Sequence, residues 1–215
     1  MSPLFPVFAE HSRYVQRVRR RYERDLALLP PGLPDRPVIA ALVQTLLDGG
    51  RPLASALRVA RHLVLERLAV LDIEQHAPVE DVTLVMTHLA EVTLDLALAA
   101  ARHELDEIHG APRTAEGGDI AFWVVGMGKL GARELNVSSD IDLIYVYEED
   151  GATHGRKPVS AHEYFSQVAR KLYALIGDVI DDGQVFRVDL ALRPNGKSGP
   201  PVVSLAMLEE YFPPT

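Results

Sequence analysis

Val125-Gly126-Met127-Gly128-Lys129-Leu130-Gly131-Ala132-Arg133-Glu134-Leu135-Asn136-Val137-Ser138-Ser139-Asp140-Ile141-Asp142-Leu143 is the stretch on which the fold turns. An apolar, strand-like run ends in a Gly-rich turn carrying a lysine. Two serines and an Asp-x-Asp then open a second apolar run. Glycine lets backbone approach a phosphate closely because no Cβ stands in the way. Paired aspartates offer the hard oxygens that Mg²⁺ takes, and Mg²⁺ is the usual companion of nucleotide phosphates. Strand alternation places Asp140 and Asp142 on one face, with Ile141 turned to the core. Two carboxylates so close are costly unless a cation neutralises them. A strand entry or a calcium-type loop also shows Asp-x-Asp. The glycine turn just upstream sets this one apart and points to nucleotidyl transfer.

A third acid lies further on. Val185–Leu192 alternates in character and reads as a strand carrying Asp189 inside an otherwise apolar segment, where a charge needs a partner. Pairing of that strand beside the Asp-x-Asp strand makes three carboxylates converge, enough to hold two Mg²⁺ ions. Gly126, Gly128 and Lys129 read as phosphate contacts from the turn, Lys129 alternatively as a solvated turn lysine. The Walker pattern is absent, because Leu130 stands where Ser or Thr belongs. Ser138 and Ser139 read equally as phosphate-bonding hydroxyls or as caps of the turn. Arg193, Asn195, Lys197 and Ser198 crowd one Gly-rich loop past Asp189, which suits a triphosphate or a plain surface loop.

Outward from the motif, residues 8–110 read as helical. Helices are expected over Ala9–Leu29, about Pro37–Leu47, about Pro52–Leu71 and Pro78–Ile108. The last shows Val82, Val85, Leu89, Val92, Leu96 and Ala99 at three- and four-residue steps. Residues 111–118 form a turn-rich connector. Strands are expected at Ile120–Val125 and Ile141–Tyr147, a polar loop at 148–158, and an amphipathic helix over Ser160–Ile180. Ser160 and Glu163 complete a capping box for that helix. Ser204 caps a last helix through Phe212. The organisation is thus a helical region, 1–115, followed by an α+β domain with a small sheet, 116–215.

Composition narrows the classes. The 215 residues are 47% hydrophobic and 24% charged, ordinary for a globular chain. Residues 1–115 hold 13 basic and 15 acidic side chains, the remainder 9 and 15, so the acidity gathers with the motif. A broad nucleic-acid surface needs a basic footprint, which is missing. The absence of cysteine excludes disulfides, thiolate chemistry and Cys-type zinc sites. The start, Met1 to Pro6, lacks a charged segment followed by an apolar core, and no uninterrupted apolar run approaches 18 residues. A cytoplasmic protein without membrane spans is the expectation. The histidines form no H-E-x-x-H, and the arginines of residues 13–24, interleaved with acids, read as a solvated helix face.

Gly126 to Ile144, and Phe186-Arg187-Val188-Asp189-Leu190-Ala191-Leu192-Arg193-Pro194-Asn195-Gly196-Lys197-Ser198-Gly199-Pro200, resemble the two signatures of the glutamine synthetase adenylyltransferase/adenylyl-removing enzymes, in order and at the expected separation. The resemblance extends to Tyr164-Phe165 and to Leu208–Phe212. It implies a nucleotidyltransferase fold of the DNA polymerase β type, with Gly128-Lys129, Asp140, Asp142 and Asp189 as the catalytic set. The three aspartates would bind Mg²⁺, with Lys129, Ser139, Arg193 and Lys197 on phosphate. The wording looks like the family's N-terminal half, in which phosphate attacks the AMP–tyrosine bond of glutamine synthetase and releases ADP; the C-terminal half adds AMP from ATP. Implied partners are glutamine synthetase, ATP or ADP, phosphate and the PII signal protein. Ala191 stands where the family commonly has Arg, and Pro201 where a non-proline apolar residue is usual. The family continues with a helical bundle, a linker and a second catalytic domain, so a fragment, a split-gene product or a truncated copy is expected. Two other readings stand beside this one: a nucleotide- or partner-binding module without turnover, and a nucleotidyltransferase acting on a small molecule.

Overall fold

The structure, a computed structural model, describes residues 8–212. Met1 to Pro6, read above for a leader, and the terminal Pro213-Pro214-Thr215 lie outside the described residues. The chain is a mixed α+β protein that divides into two compact units, discontinuous in sequence.

The first unit takes in residues up to Thr93, with Arg133–Ser139 and Val179–Val185. Its helices are α1 (Arg13–Arg21), α2 (Arg36–Asp48), α3 (Leu53–Gln75) and the first half of α4 (Val79–His109). The expected helix Ala9–Leu29 is broken into 3₁₀ turns at Ala9–His11 and Leu26–Leu28 around α1. Ser12 is extended and its hydroxyl accepts from Val15 N–H, so it starts a helix rather than continuing one. Tyr22 ends α1 outside helical geometry, and its hydroxyl donates to Asp182 (2.8 Å). Both α1 and α2 pack on α3, whose Ala56, Leu57, Val59, Ala60, Leu63 and Val64 are buried.

One polar node fixes Val179–Val185 within this unit. The Asp182 carboxylate accepts from Tyr22, from Arg21 (2.9 Å) and from Ser55 (2.6 Å). His62 bonds the Asp182 carbonyl through Nε2 (3.0 Å) and the Tyr14 hydroxyl through Nδ1 (2.8 Å), and Tyr22 stacks on its ring.

The helix α4 bears on the membrane expectation. It is long and apolar enough, by length and composition, to cross a membrane, which a search for an uninterrupted apolar run does not detect; 56% of that window is buried inside the protein, as in a core helix.

The second unit takes in Leu94–Ala132, Asp140–Asp178 and residues from Phe186 on. Strand β1 (Phe122–Gly126) pairs antiparallel with β2 (Ile141–Tyr147), from Phe122 opposite Tyr147 to Gly126 opposite Leu143. The other edge of β2 carries two short parallel partners: β3 (Val188–Asp189) at Ile141–Asp142, and β4 (Val202–Ser204) at Tyr145–Tyr147. A single turn, α5 (Gly128–Gly131), follows β1; α6 (Ala161–Gly177) lies between β2 and β3; α7 (Leu205–Tyr211) follows β4.

Alternation along β2 builds two cores. On one face Tyr145 and Tyr147 join Phe122 and Phe165 of α6, with Phe122 and Phe165 parallel at 4.8 Å. On the other, Ile144 and Val146 pack with Val203, Val125, Met127, Leu205 and Leu208. By parity Asp140 and Asp142 belong to this second face, past the end of its apolar cluster.

Two sequence expectations change here. The expected strand Val185–Leu192 shrinks to two residues, because Asp189 Oδ1 accepts from Ala191 N–H (2.7 Å) and turns the chain out of the sheet. The strand β4 has no counterpart among the strands expected from the residues. It starts directly after Pro201, a position a sheet tolerates because proline's missing N–H falls before the ladder. Helix α6 starts as expected, with Ser160 Oγ accepting from Glu163 N–H (3.1 Å), and stops at Gly177.

Candidate active site

The chemistry of the second unit gathers where β1 ends and β2 begins. At the end of β1 the chain turns back through Gly126-Met127-Gly128-Lys129-Leu130-Gly131. Gly128 sits at φ +53, and a Cβ there would stand 3.0 Å from Asp142 Oδ2. A Cβ on Gly131 would meet the Gly126 carbonyl oxygen at 2.5 Å. Gly128 and Gly131 are therefore demanded by backbone shape and close approach. The turn is anchored by Gly131 N–H to Met127 O (3.1 Å) and Ala132 N–H to Gly128 O (3.0 Å). Met127 N–H donates to Asp142 O (2.9 Å), which ties the turn to the Asp-x-Asp strand. Lys129 is exposed on this turn.

Asp142 is opposite Asp189 in the parallel β2–β3 pair, so the two carboxylates leave adjacent strands on one face. The Asp142 carboxyl is pushed above the ordinary carboxylate range. Burial is the largest cause, followed by the charges of Asp189 and Asp140. Asp140 is exposed and its Oδ1 accepts from the Arg187 guanidinium. Ile141 N–H donates to Arg187 O (2.9 Å), which extends the pairing one step.

The loop after Asp189 is held by Arg193. Its guanidinium donates to the carbonyl oxygens of Leu190 (2.6 Å), Pro200 (3.1 Å) and Gly199 (3.4 Å). Arg193 thus spans the base of its own loop. The Lys197 side chain lies outside the described residues. Ser138 and Ser139 fall in Arg133–Ser139, grouped with the first unit, where Ser139 N–H closes a turn onto Asn136 O (3.1 Å). The second unit accordingly brings Gly126, Gly128, Asp140, Asp142 and Asp189 to one end of the sheet.

The donor set suits a hard divalent ion in kind: only carboxylate oxygens, with Asp142 and Asp189 on one face and the charge of Asp189 raising the Asp142 carboxyl. Among the described residues no group of three or more His, Cys, Asp or Glu side chains is arranged so that it could hold a metal ion as it stands. Arg187, which is not among the site residues expected from the sequence, holds Asp140. Alternation would have found it: the rule that sets Asp140 with Asp142 sets Arg187 with Asp189.

Comparison with known proteins gives the family. Residues 11–214 match the family model described as glutamate-ammonia ligase adenylyltransferase. The chain is 51% identical over 180 residues to a bifunctional glutamine synthetase adenylyltransferase/adenylyl-removing enzyme of Burkholderia mallei, covering 80% of this chain and 20% of that protein. It is 42% identical over 219 residues to the enzyme of that name from Ralstonia nicotianae, covering 97% and 23%. The Chromobacterium violaceum protein of the same name is 48% identical over 167 residues, covering 77% and 19%. The chain thus spans about a fifth of the length of the curated relatives it matches. With the family model covering nearly the whole sequence, the chain belongs to the glutamate-ammonia ligase adenylyltransferase family.

Proposed function

We propose that this chain carries a Mg²⁺-dependent nucleotidyl-transfer site that removes AMP from an adenylylated tyrosine of glutamine synthetase by phosphorolysis, or adds it from ATP. The observation that carries this reading is the register: Asp142 beside Asp189, with the Gly126–Gly131 turn bonded to Asp142's own backbone. Asp140, Asp142 and Asp189 would hold the metal. When bound, Mg²⁺ supplies charge neutralisation at the transferring phosphoryl group and lowers the barrier to in-line displacement.

The residues have separate tasks. The backbone of the Gly126–Gly131 turn, free of side-chain bulk at Gly128, lets the nucleotide phosphates lie against it. Lys129 adds a cation on the same turn. Arg193 holds the loop 190–200 in shape, and Lys197 on that loop is a phosphate contact of the proposal, with Ser138 and Ser139. Both directions use the same displacement, so either assignment calls on the same residues.

The test is deadenylylation of adenylylated glutamine synthetase with phosphate and Mg²⁺, following ADP for this chain and for Asp140→Ala. ADP release that disappears in the variant supports the reading. Absence of release from a folded chain that still binds nucleotide favours the second reading, a binding module without turnover.

A further inference from the structure

Arg187 has no part in the reaction as proposed, yet it stands on the array that performs it. With Ile141 opposite Val188 and Asp142 opposite Asp189, the neighbouring positions Asp140 and Arg187 lie abreast, and their side chains are joined. Four charged groups therefore make a two-by-two array: Asp140 beside Arg187, Asp142 beside Asp189. It holds three negative charges and one positive. The two aspartates of the Asp-x-Asp are not equivalent. Asp140 already has a cation on Oδ1; Asp142 meets another carboxylate.

A divalent ion that draws on Asp140 must enter a position where a guanidinium already sits within contact distance, and the two cations repel. The pair lies at the surface: the Arg187 side chain is 61% exposed and that of Asp140 46%, so water and ions reach both partners. The backbone of β3 stays in place meanwhile, since Ile141 N–H bonds the Arg187 carbonyl and not its side chain.

We propose that Arg187 is a positioning residue that competes with the divalent metal for Asp140. Its guanidinium holds the carboxylate in the metal-free chain and gives it up when metal enters the array. This inference rests on the metal-binding reading of the three aspartates given above. Its consequence is a site whose metal affinity is set lower than its carboxylates alone would set it.

The probe is Mn²⁺ alone, titrated into the full chain and followed by the loss of the free-ion paramagnetic resonance signal. Wild type, Arg187→Gln, Arg187→Lys and Asp142→Asn are compared, with circular dichroism as the check of fold. The expected result is Mn²⁺ binding about threefold tighter in Arg187→Gln, the scale an exposed ion pair allows. Arg187→Lys, which keeps the charge and loses the planar fork, is expected between the two. Equal or weaker binding in Arg187→Gln overturns the inference, and if that variant does not fold, equal or weaker binding in Arg187→Lys does so. Should wild type bind Mn²⁺ in a manner that Asp142→Asn abolishes, with Arg187→Gln unchanged, only the role of Arg187 fails. Should wild type show no binding that Asp142→Asn removes, the metal reading of the aspartates fails, and the role of Arg187 with it.

Discussion

Asp142 and Asp189 stand directly opposite each other in the parallel pairing of β2 with β3, and the charge of Asp189 adds to the burial that pushes the Asp142 carboxyl up. A folded-state value above the unfolded one means that the folded chain binds the proton more tightly. The stabilisation this gives is complete below the unfolded value, 3.8, and is lost as pH rises through the raised folded value. At neutral pH the ionised Asp142 therefore strains the metal-free chain. Asp142→Asn is predicted to raise the melting temperature of the metal-free protein at pH 7. It is also predicted to reduce AMP transfer by about a hundredfold or more, the scale of a lost electrostatic contact at the reacting group. Scanning calorimetry and the ADP-release assay check the pair; a lower melting temperature or undiminished transfer contradicts it.

The turn before the Asp-x-Asp makes a different demand. Gly128→Ala puts a side chain at φ +53 and 3.0 Å from Asp142 Oδ2, and a left-handed residue costs about 1–2 kcal/mol before any contact is counted. Gly131→Ala drives a Cβ to 2.5 Å from the Gly126 carbonyl, a backbone atom that can move only with the end of β1. Both are expected to destabilise the chain and weaken nucleotide binding. Gly118→Ala, at ordinary φ and 3.4 Å from the nearest side-chain atom, serves as the control and is expected to change neither. Urea unfolding and nucleotide titration separate the three.

The sequence made these features legible to different degrees, for physical reasons. The run Ile141–Tyr147 reads correctly to the residue because its core alternates aromatic and aliphatic faces, both buried. The helix at Pro78–Ile108 reads correctly because a long 3.6-residue period admits no other element. The strand Val188–Asp189 is shorter than its alternating pattern predicts, since alternation does not reveal that Asp189 turns back onto Ala191 N–H. The strand Val202–Ser204 is three residues behind two prolines, too short to show a period. Arg187 does not stand out as a site residue in the sequence, because a metal motif is written in its acids and not in their counter-charges.

Acidification is predicted to loosen the first unit in two steps. His62 is held below its ordinary 6.5, mainly by burial, with Arg61 and Arg17 adding to the effect against the pull of Asp182. A histidine with a lowered folded value favours the neutral folded form, so stability falls as pH drops below 6.5 toward that value. For Asp182, burial alone would raise the carboxyl; the bonds from Ser55 and Tyr22 and the charge of Arg21 outweigh it and bring the value below 3.8. Its contribution is full above 3.8 and is lost as pH falls through the depressed value. His62→Gln should flatten the first limb of a melting-temperature profile and Asp182→Asn the second. Asp182→Ala should cost about 1–3 kcal/mol at pH 7, because three donors lose their acceptor. Unchanged limbs in these variants would assign the acid sensitivity elsewhere.

Two tyrosines of the second unit should respond to the same substitution with opposite sign. Tyr145 is 1% exposed, and its hydroxyl finds no hydrogen-bond partner among the described residues; burial pushes its pKa up. A buried polar atom left unpaired costs about 1–3 kcal/mol, so Tyr145→Phe removes a liability while keeping the ring that lies near Phe122. Tyr164 is equally buried, but its hydroxyl donates to Asp106 at 2.5 Å. Tyr164→Phe takes away that bond and strips Asp106 of a donor. The melting temperature is predicted to rise by about 2–4 °C in the first variant, following about 1 kcal/mol in a chain of this size, and to fall in the second. A fall in both would mean that the Tyr145 hydroxyl is satisfied in solution, and that the aromatic face of β2 is more polar than its packing implies.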